Sequence, residues 1–497
     1  MSKAIGKTAD MGTYSCPDAR MTSVNGEELA RNNTKDSCWI AINGTVWDVT
    51  SFLEEHPGGA SLILKLAGQD ATEAYSIFHD LELVEKTLNP GSRKGSIDVN
   101  TIPKPTTSAK KDVEIRKPSR PPLSSMINLA DFQRLAENHM TPLAWAYVSS
   151  GADNEISMNE NAAAYSRVFL RGRILRKIGS CDLSTTILGQ KSSLPIYTSP
   201  VGLGKLVHPD GECNIAKADG KEGIIQVVNT VSSMSIEAIM DARISKDQPV
   251  FWQLYLDRDL GKSKAFVQRV EKCGVKAIWL TVDSPVTGNR ERDERSKSGE
   301  EMIEEENLEE VVNNMKSGGT GVAASNNSFI NGDVDWEILA WLREITNLPI
   351  VVKGIMCVED AVAAYEHGAD GIVLSNHGGR SQDTSQPPLL TLLEIRKYAP
   401  HIMGKRMQIF VDGGVRRGTD VLKALCLGAN AVGIGRPTLF SQAAGYGHHG
   451  IRRMIQILRK EMETNMAFLG ARRIEDLNPA MLNTKPLENL LVSSVKL

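Results

Sequence analysis

The chain has 497 residues, a formal net charge of −3, 41% hydrophobic and 24% charged residues, the balance of a soluble globular protein with two or more domains. No stripe of Lys and Arg interleaved with aromatics points to nucleic acid, and no run approaches the roughly 18 apolar residues of a membrane helix. Seven scattered cysteines with no C-x-x-C pair predict free thiols rather than a zinc or disulfide framework.

In chain order, residues 1–19 read as a tail. Lys3, Lys7 and Arg20 alternate with Asp10 and Asp18 and no apolar run follows, so there is neither a secretory signal nor a clear mitochondrial presequence. The expectation is a soluble intracellular protein, or a mature form already processed. Residues 20–98 form a first, small domain. In "CWIAINGTVWDVTSFLEEHPGG" two strand-like runs meet at Asn43-Gly44, a strong hairpin signal. His56 follows, with Pro57 fixing the backbone and Gly58 and Gly59 permitting close approach of a flat ligand; His79 ends the helical "DATEAYSIFH". Two such histidines suit bis-imidazole ligation of iron. Together these residues resemble the cytochrome b5 family, which implies a small α+β fold holding haem b on His56 and His79. Residues 20–98 carry 7 Lys and Arg against 12 Asp and Glu. That acidic surface would attract a cationic electron acceptor, and cytochrome c fits.

Residues 99–124 are dense in Pro, Ser and Lys and read as a linker. From 125 to 475 a pattern of apolar run, polar break and amphipathic stretch recurs eight times, and residues 476–497 remain as a tail. The runs are "LPIYTSPVG", "IIQVVN", "VFWQLYL", "AIWLTVDSP", "PIVVKG", "GIVLSNHG", "QIFVDGG" and "AVGIGRP". Three joints, "KCGVKAIWL", "EHGADGIVL" and "CLGANAVGI", place Gly274, Gly368 and Gly428 shortly before a strand, as a left-handed helix end handing over to a parallel strand requires. Eight such units predict a (β/α)8 TIM barrel. The competing open doubly wound sheet would favour G-x-G-x-x-G after an early strand, and none stands there.

The strand ends of such a barrel face the active site. Here they carry Pro200 and Gly202, Asn229, Gln253 and Tyr255, Thr281 and Asp283, Lys353, His377 and Arg380, Asp412 to Gly414 with Arg416, and Gly435 with Arg436. "DGGVRRG" and "GRP" put arginines and open backbone where barrels hold phosphate, so a phosphorylated ligand is implied. Lys353 is either a lone cation for that ligand or the partner of a barrel carboxylate. Arg380 suits a carboxylate and His377 a proton, the pairing that a 2-hydroxy acid needs; Asp283 would stabilise the imidazolium.

With "SNHGGR", "VDGGVRRGTDVLKALCLGA", "FWQLY", "LTVDSP", "VVKG" and "AYVSSGA", residues 125–475 resemble the FMN-dependent 2-hydroxy acid oxidoreductases. The resemblance implies FMN as cofactor and a 2-hydroxy acid as substrate. It makes His377 the base, Asp283 its partner, Arg380 and Tyr147 the carboxylate site, Tyr255 the contact to the substrate hydroxyl, and Arg290 a further substrate cation. Lys353 would sit against the flavin. Ser199, Pro200, Gly202, Asn229, Gln253 and Thr281 would line its ring; Asp412, Gly413, Gly414, Arg416, Gly435 and Arg436 would hold its phosphate. Asn229 stands where the family usually has serine, Val148 where a second tyrosine is common, and Gly202 where alanine is usual; the Asn229 amide is expected to replace the hydroxyl as flavin partner, and substrate size becomes the open variable.

A haem domain ahead of this barrel resembles the family's flavocytochromes. That implies oxidation of an L-2-hydroxy acid, L-lactate first, with electrons passing singly through haem b to cytochrome c, in a homotetramer of the mitochondrial intermembrane space or cytoplasm. The alternatives are an oxidase that reduces O2, a dehydrogenase for a larger acid such as mandelate, and a non-catalytic haem-binding redox sensor. Between residues 290 and 335 a long insertion follows the fourth strand; its acidic run reads as a solvated helix rather than a site, while a loop of this length at the active-site face has the position of a lid.

Overall fold

The computed structural model describes residues 23–53, 60–78, 83–98, 101, 120–297, 330–404 and 406–495. His56, His79, most of the linker and residues 298–329 of the insertion lie outside the described residues. The chain divides into two compact units, one N-terminal and one C-terminal.

The N-terminal unit is built on a four-stranded antiparallel sheet, Asn33–Thr34, Ser37–Ile42, Thr45–Asp48 and Arg93–Ser96, in sequence order. Its central hairpin turns on Asn43 and Gly44 at φ 50° and 73°, with Ile42 paired to Thr45. Both turn residues are left-handed, which is what a two-residue hairpin of matching twist requires. Cys38, Ile40, Ile42, Trp47 and Val49 pack with Leu53, Ile63, Ala67, Ala71 and Val84 to form one core. Helix Thr72–Phe78 stops one residue before His79.

The C-terminal unit is a closed barrel of eight parallel strands. In chain order they are β1 (Ile196–Thr198), β2 (Ile225–Val228), β3 (Val250–Leu254), β4 (Ile278–Thr281), β5 (Ile350–Ile355), β6 (Gly371–Leu374), β7 (Gln408–Val411) and β8 (Ala431–Ile434), and each falls within one of the eight apolar runs except β5, which extends one residue beyond its run. Strands buried on both faces lose the polar alternation of a half-exposed strand, so each run is continuous. Inward side chains make an aromatic filling in which Trp279 stacks on Phe410 at 5.2 Å and meets Tyr197 edge-on at 4.9 Å. Ile187, from the hairpin of Thr185–Ile187 and Gln190–Ser192, joins that filling. The outward faces pack with the surrounding helices into the main core. Gly274, Gly368 and Gly428 are left-handed, at φ 89°, 81° and 110°, as the three joints predict.

Among the described residues no helix is long and apolar enough to cross a membrane, and all six described cysteines are free.

Candidate active site

β6 ends at buried Leu374; Ser375 and Asn376 follow it into the interior, and the chain then takes three left-handed residues, His377, Gly378 and Gly379, at φ 57°, 66° and 76°. The turn is held from both sides. Asn376 and Asn161 exchange two amide bonds of 2.7 Å, Asn376 Oδ1 also accepts from Gly379 N at 3.0 Å, and His377 N donates to Ser375 Oγ at 3.1 Å. A Cβ on Gly379 would lie 2.5 Å from Met158 N, so only glycine lets this turn lie against the helix Ile156–Ser166.

The turn aims the imidazole at the end of β4. His377 Nδ1 lies 2.8 Å from Asp283 Oδ1, and Lys353 Nζ donates to Asp283 Oδ2 at 3.3 Å and to Ser375 Oγ at 3.2 Å. β5 bulges beyond Lys353, and Gly354 at φ 116° has no room for a Cβ, which would fall 2.5 Å from that of Asp283. Burial opposes charge on Asp283, but Lys353 and His377 overcome it and hold the carboxyl at about 2. Burial, with the positive fields of Lys353 and Arg290, lowers His377 to about 4 against the pull of Asp283. The imidazole is therefore neutral above that pH. With Nδ1–H donated to the carboxylate, Nε2 carries the lone pair, 3.5 Å from Tyr255 Oη. Burial pushes the Tyr255 phenol well up, so it stays a donor.

These groups open on a cleft lined by the strand ends of the barrel. Arg380, Arg290, Arg416 and Arg436 converge there. Arg380 Nη1 is anchored on the carbonyls of Tyr147, Val148 and Ser150, and its guanidinium lies 4.9 Å over the Tyr147 ring. Arg436 donates to the carbonyls of Val148, Gly378 and Ser150. Among the described residues neither is ion-paired with a carboxylate. Burial, then Arg380, Arg416 and Arg290, pull Arg436 well below the usual guanidinium range, a repulsion that a bound anion relieves. Gly413 and Gly414 are left-handed, at φ 85° and 78°. A Cβ on Gly414 would lie 2.3 Å from the Asn161 backbone, whereas Gly435 meets nothing closer than 3.9 Å and presents bare backbone to the cleft. This glycine floor with unpaired arginines at one end fits a planar ring carrying a phosphate.

Of the residues singled out by sequence, Tyr147, Ser199, Pro200, Gly202, Asn229, Tyr255, Arg290, Lys353, His377, Arg380, Asp412, Gly413, Gly414, Arg416, Gly435 and Arg436 all line this one cleft. Asp283 stands behind His377. Gln253 and Thr281 lie one layer back, bonded to each other at 3.0 Å. The Asn229 amide bridges backbone, accepting from Val231 N at 2.6 Å and donating to Pro200 O at 3.3 Å. Gly202 leaves no extra room, because the Val231 carbonyl sits 2.5 Å from where a Cβ would be. Sequence reasoning missed Asn161, mid-helix and 215 residues from its partner, and the cleft-lining Val415 and Leu439; nothing in their local pattern marks them.

A neutral imidazole beside arginines without carboxylate partners among the described residues, over a glycine floor at the mouth of a parallel barrel, suits a flavin-dependent oxidoreductase of small hydroxy acids. Comparison with known proteins agrees. The model of the FMN-dependent dehydrogenase family matches residues 136–484, and that of the cytochrome b5-like heme/steroid binding domain matches residues 25–98. The chain is 39% identical over 95% of its length to 81% of the L-lactate dehydrogenase (cytochrome) of Wickerhamomyces anomalus, and 38% identical over 95% to 81% of that of Saccharomyces cerevisiae. It also resembles the flavin-binding domain of baker's yeast flavocytochrome b2, with TM-score 0.67 and 39% identity over 76% of this chain and 91% of that one. The chain belongs to the FMN-dependent dehydrogenase family, with a cytochrome b5-like domain ahead of the barrel. Its cofactors are FMN and haem b.

Proposed function

We propose that this protein oxidises L-lactate to the 2-oxo acid and passes the electrons singly through haem b to cytochrome c. The observation that carries the reading is the 2.8 Å bond between His377 Nδ1 and Asp283, which leaves a neutral Nε2 facing a cleft that also presents Arg380. The whole-length likeness to L-lactate dehydrogenases (cytochrome) supports the choice of substrate and acceptor.

Bound FMN supplies the two-electron acceptor and haem b the one-electron outlet. Arg380, anchored through Nη1, offers its remaining N–H groups to the substrate carboxylate beside Tyr147, a bidentate hold that orients the acid. Arg290 adds a second cation. Tyr255 donates its phenol to the substrate hydroxyl oxygen, and His377 Nε2 accepts the proton released on oxidation. Asp283 stabilises the resulting imidazolium by charge, and Lys353 keeps Asp283 ionised. Ser199, Pro200, Gly202 and Asn229 line the flavin ring, with Gln253 and Thr281 behind them and Lys353 as the cation that ring reduction demands. Asp412, Gly413, Gly414, Arg416, Gly435 and Arg436 hold the phosphate. His56 and His79 are assigned to the haem iron, and the excess of 12 acidic over 7 basic residues between 20 and 98 suits docking of cytochrome c. The family analogy gives a homotetramer, in the mitochondrial intermembrane space or cytoplasm.

The test is anaerobic mixing of the purified holoprotein with a panel of 2-hydroxy acids, following flavin, haem and added cytochrome c by absorbance. L-lactate should reduce all three in that order. A flavin that bleaches while haem stays oxidised would replace the reading with an O2-reducing oxidase, and a flavin unmoved by every acid would remove it.

A further inference from the structure

One buried hydroxyl beside the base is not used by the chemistry above. Ser284, 8% exposed, follows Asp283 directly. Its Oγ lies 3.4 Å from His377 Nδ1, 3.5 Å from Asp283 Oδ1 and 3.2 Å from the Oγ of Ser381, the residue after Arg380. The two loops are also pressed together through backbone. A Cβ on Gly288 would fall 2.3 Å from the carbonyls of both Arg380 and Ser381, and Arg290 Nε donates to Arg380 O at 3.3 Å.

The hydroxyl has one proton to place among four neighbours, the fourth being the Tyr255 phenol. Asp283 Oδ1 lies 3.5 Å away and already accepts the imidazole N–H at 2.8 Å. Ser381 Oγ, at 3.2 Å, can receive the Ser284 proton. The Ser284 lone pairs then face His377 Nδ1–H, which becomes shared between a carboxylate and a hydroxyl oxygen. We propose that Ser284, oriented by Ser381, is a positioning residue for His377: a second acceptor for its Nδ1–H that steadies the ring and favours its protonated form. The inference rests on His377 being the base of the reading above.

Other charged or titratable groups face His377 from each neighbouring element: Asp283 after β4, Lys353 in β5, Tyr255 after β3, Arg290 in the loop that follows Asp283, Arg380 in its own turn, and Tyr147 in the helix Pro142–Ser149. Asp412, after β7, has its carboxyl raised by burial. It is common to every variant, so differences between variants isolate His377.

The experiment measures kcat/KM for the turned-over acid against pH, with haem reduction as signal, in the holoprotein and in Ser284→Ala, Ser381→Ala and the double variant. Loss of one neutral hydrogen bond should lower kcat/KM at neutral pH by about 2- to 10-fold. It should also move the acid limb to lower pH, because the imidazolium has lost an acceptor. Ser381→Ala should move the limb the same way, since the freed Ser284 proton then turns to Asp283. The double variant should equal Ser284→Ala. An unmoved limb, a limb moved upward, or additive effects in the double variant would overturn the proposal. Ser381→Ala alone decides it where Ser284→Ala does not fold. Failure of the parent protein to reduce its haem with any 2-hydroxy acid would instead remove the underlying reading.

Discussion

Asn161 and Asn376 donate to each other across 215 residues of chain, each amide giving one bond of 2.7 Å and taking one. The pair fastens a helix before the barrel to the turn that carries the base. Asn161→Ala would remove both of these bonds and leave the buried Asn376 amide only Gly379 N and Gln386 O, a cost of about 1–3 kcal/mol. Denaturant unfolding should show that loss, and kcat should fall with the base misaligned while flavin content stays constant.

Replacing the base itself tests the assignment more directly. His377→Gln keeps the volume and a hydrogen-bonding group toward Asp283 but supplies no basic nitrogen. The rate of haem reduction by L-lactate should drop by about 10²–10⁴-fold, with the flavin and haem absorbance of the purified protein unchanged. Unaltered turnover would remove His377 from the mechanism.

The pH dependence follows from two depressed groups. His377 sits at about 4 against an ordinary 6.5, burial being the main cause, and Asp283 at about 2 against 3.8, where Lys353 and His377 outweigh burial. Between pH 6.5 and about 4 the unfolded chain binds a proton at His377 that the folded chain does not. Stability contributed by the neutral, buried ring is therefore present above that window and lost as pH falls through it, and Asp283 extends the loss toward pH 2. Chemical unfolding of the holoprotein at stepped pH should show a midpoint that declines from neutrality downward, and His377→Gln should flatten the upper part of that decline.

Arg380→Lys separates charge from shape. A lysine keeps the cation but cannot both anchor on three carbonyls and offer two parallel donors. The kcat/KM for a 2-hydroxy acid should fall by about 10- to 100-fold, in line with loss of one charge-assisted bond. An equal response toward the corresponding alcohol lacking the carboxylate would contradict the assignment.

Gly202→Ala probes substrate size. The added methyl would meet the Val231 carbonyl at 2.5 Å, so the turn stitched by Asn229 has to move. Overpacking of this kind costs about 1–3 kcal/mol, to be read as a lowered unfolding midpoint. The preference between L-lactate and mandelate should change only as far as Val231 is displaced.

The barrel was legible because buried parallel strands leave contiguous apolar runs, and because Gly274, Gly368 and Gly428 mark helix ends in the one conformation that favours glycine. The catalytic cleft was legible because chemistry-bearing residues collect at strand ends, where His377, Asp283 and Lys353 do meet. What escaped was contact made at a distance. Asn161 and Ser284 are ordinary polar residues in their own segments, and only folding brings them against Asn376 and His377. Gly202 looked like added space when read alone; a neighbouring backbone carbonyl occupies that space. Similarly, Asn229 looked free to bond a ligand until the backbone at Pro200 and Val231 claimed its amide.

His377 stands at φ 57°, between a strand and two glycines. For a residue with a Cβ that conformation costs on the order of 1–2 kcal/mol, a penalty glycine would escape. The turn is thus least at ease where it is most reactive. The 2.8 Å bond to Asp283 helps hold the ring against that strain, so the base and the turn that presents it stand or fall together.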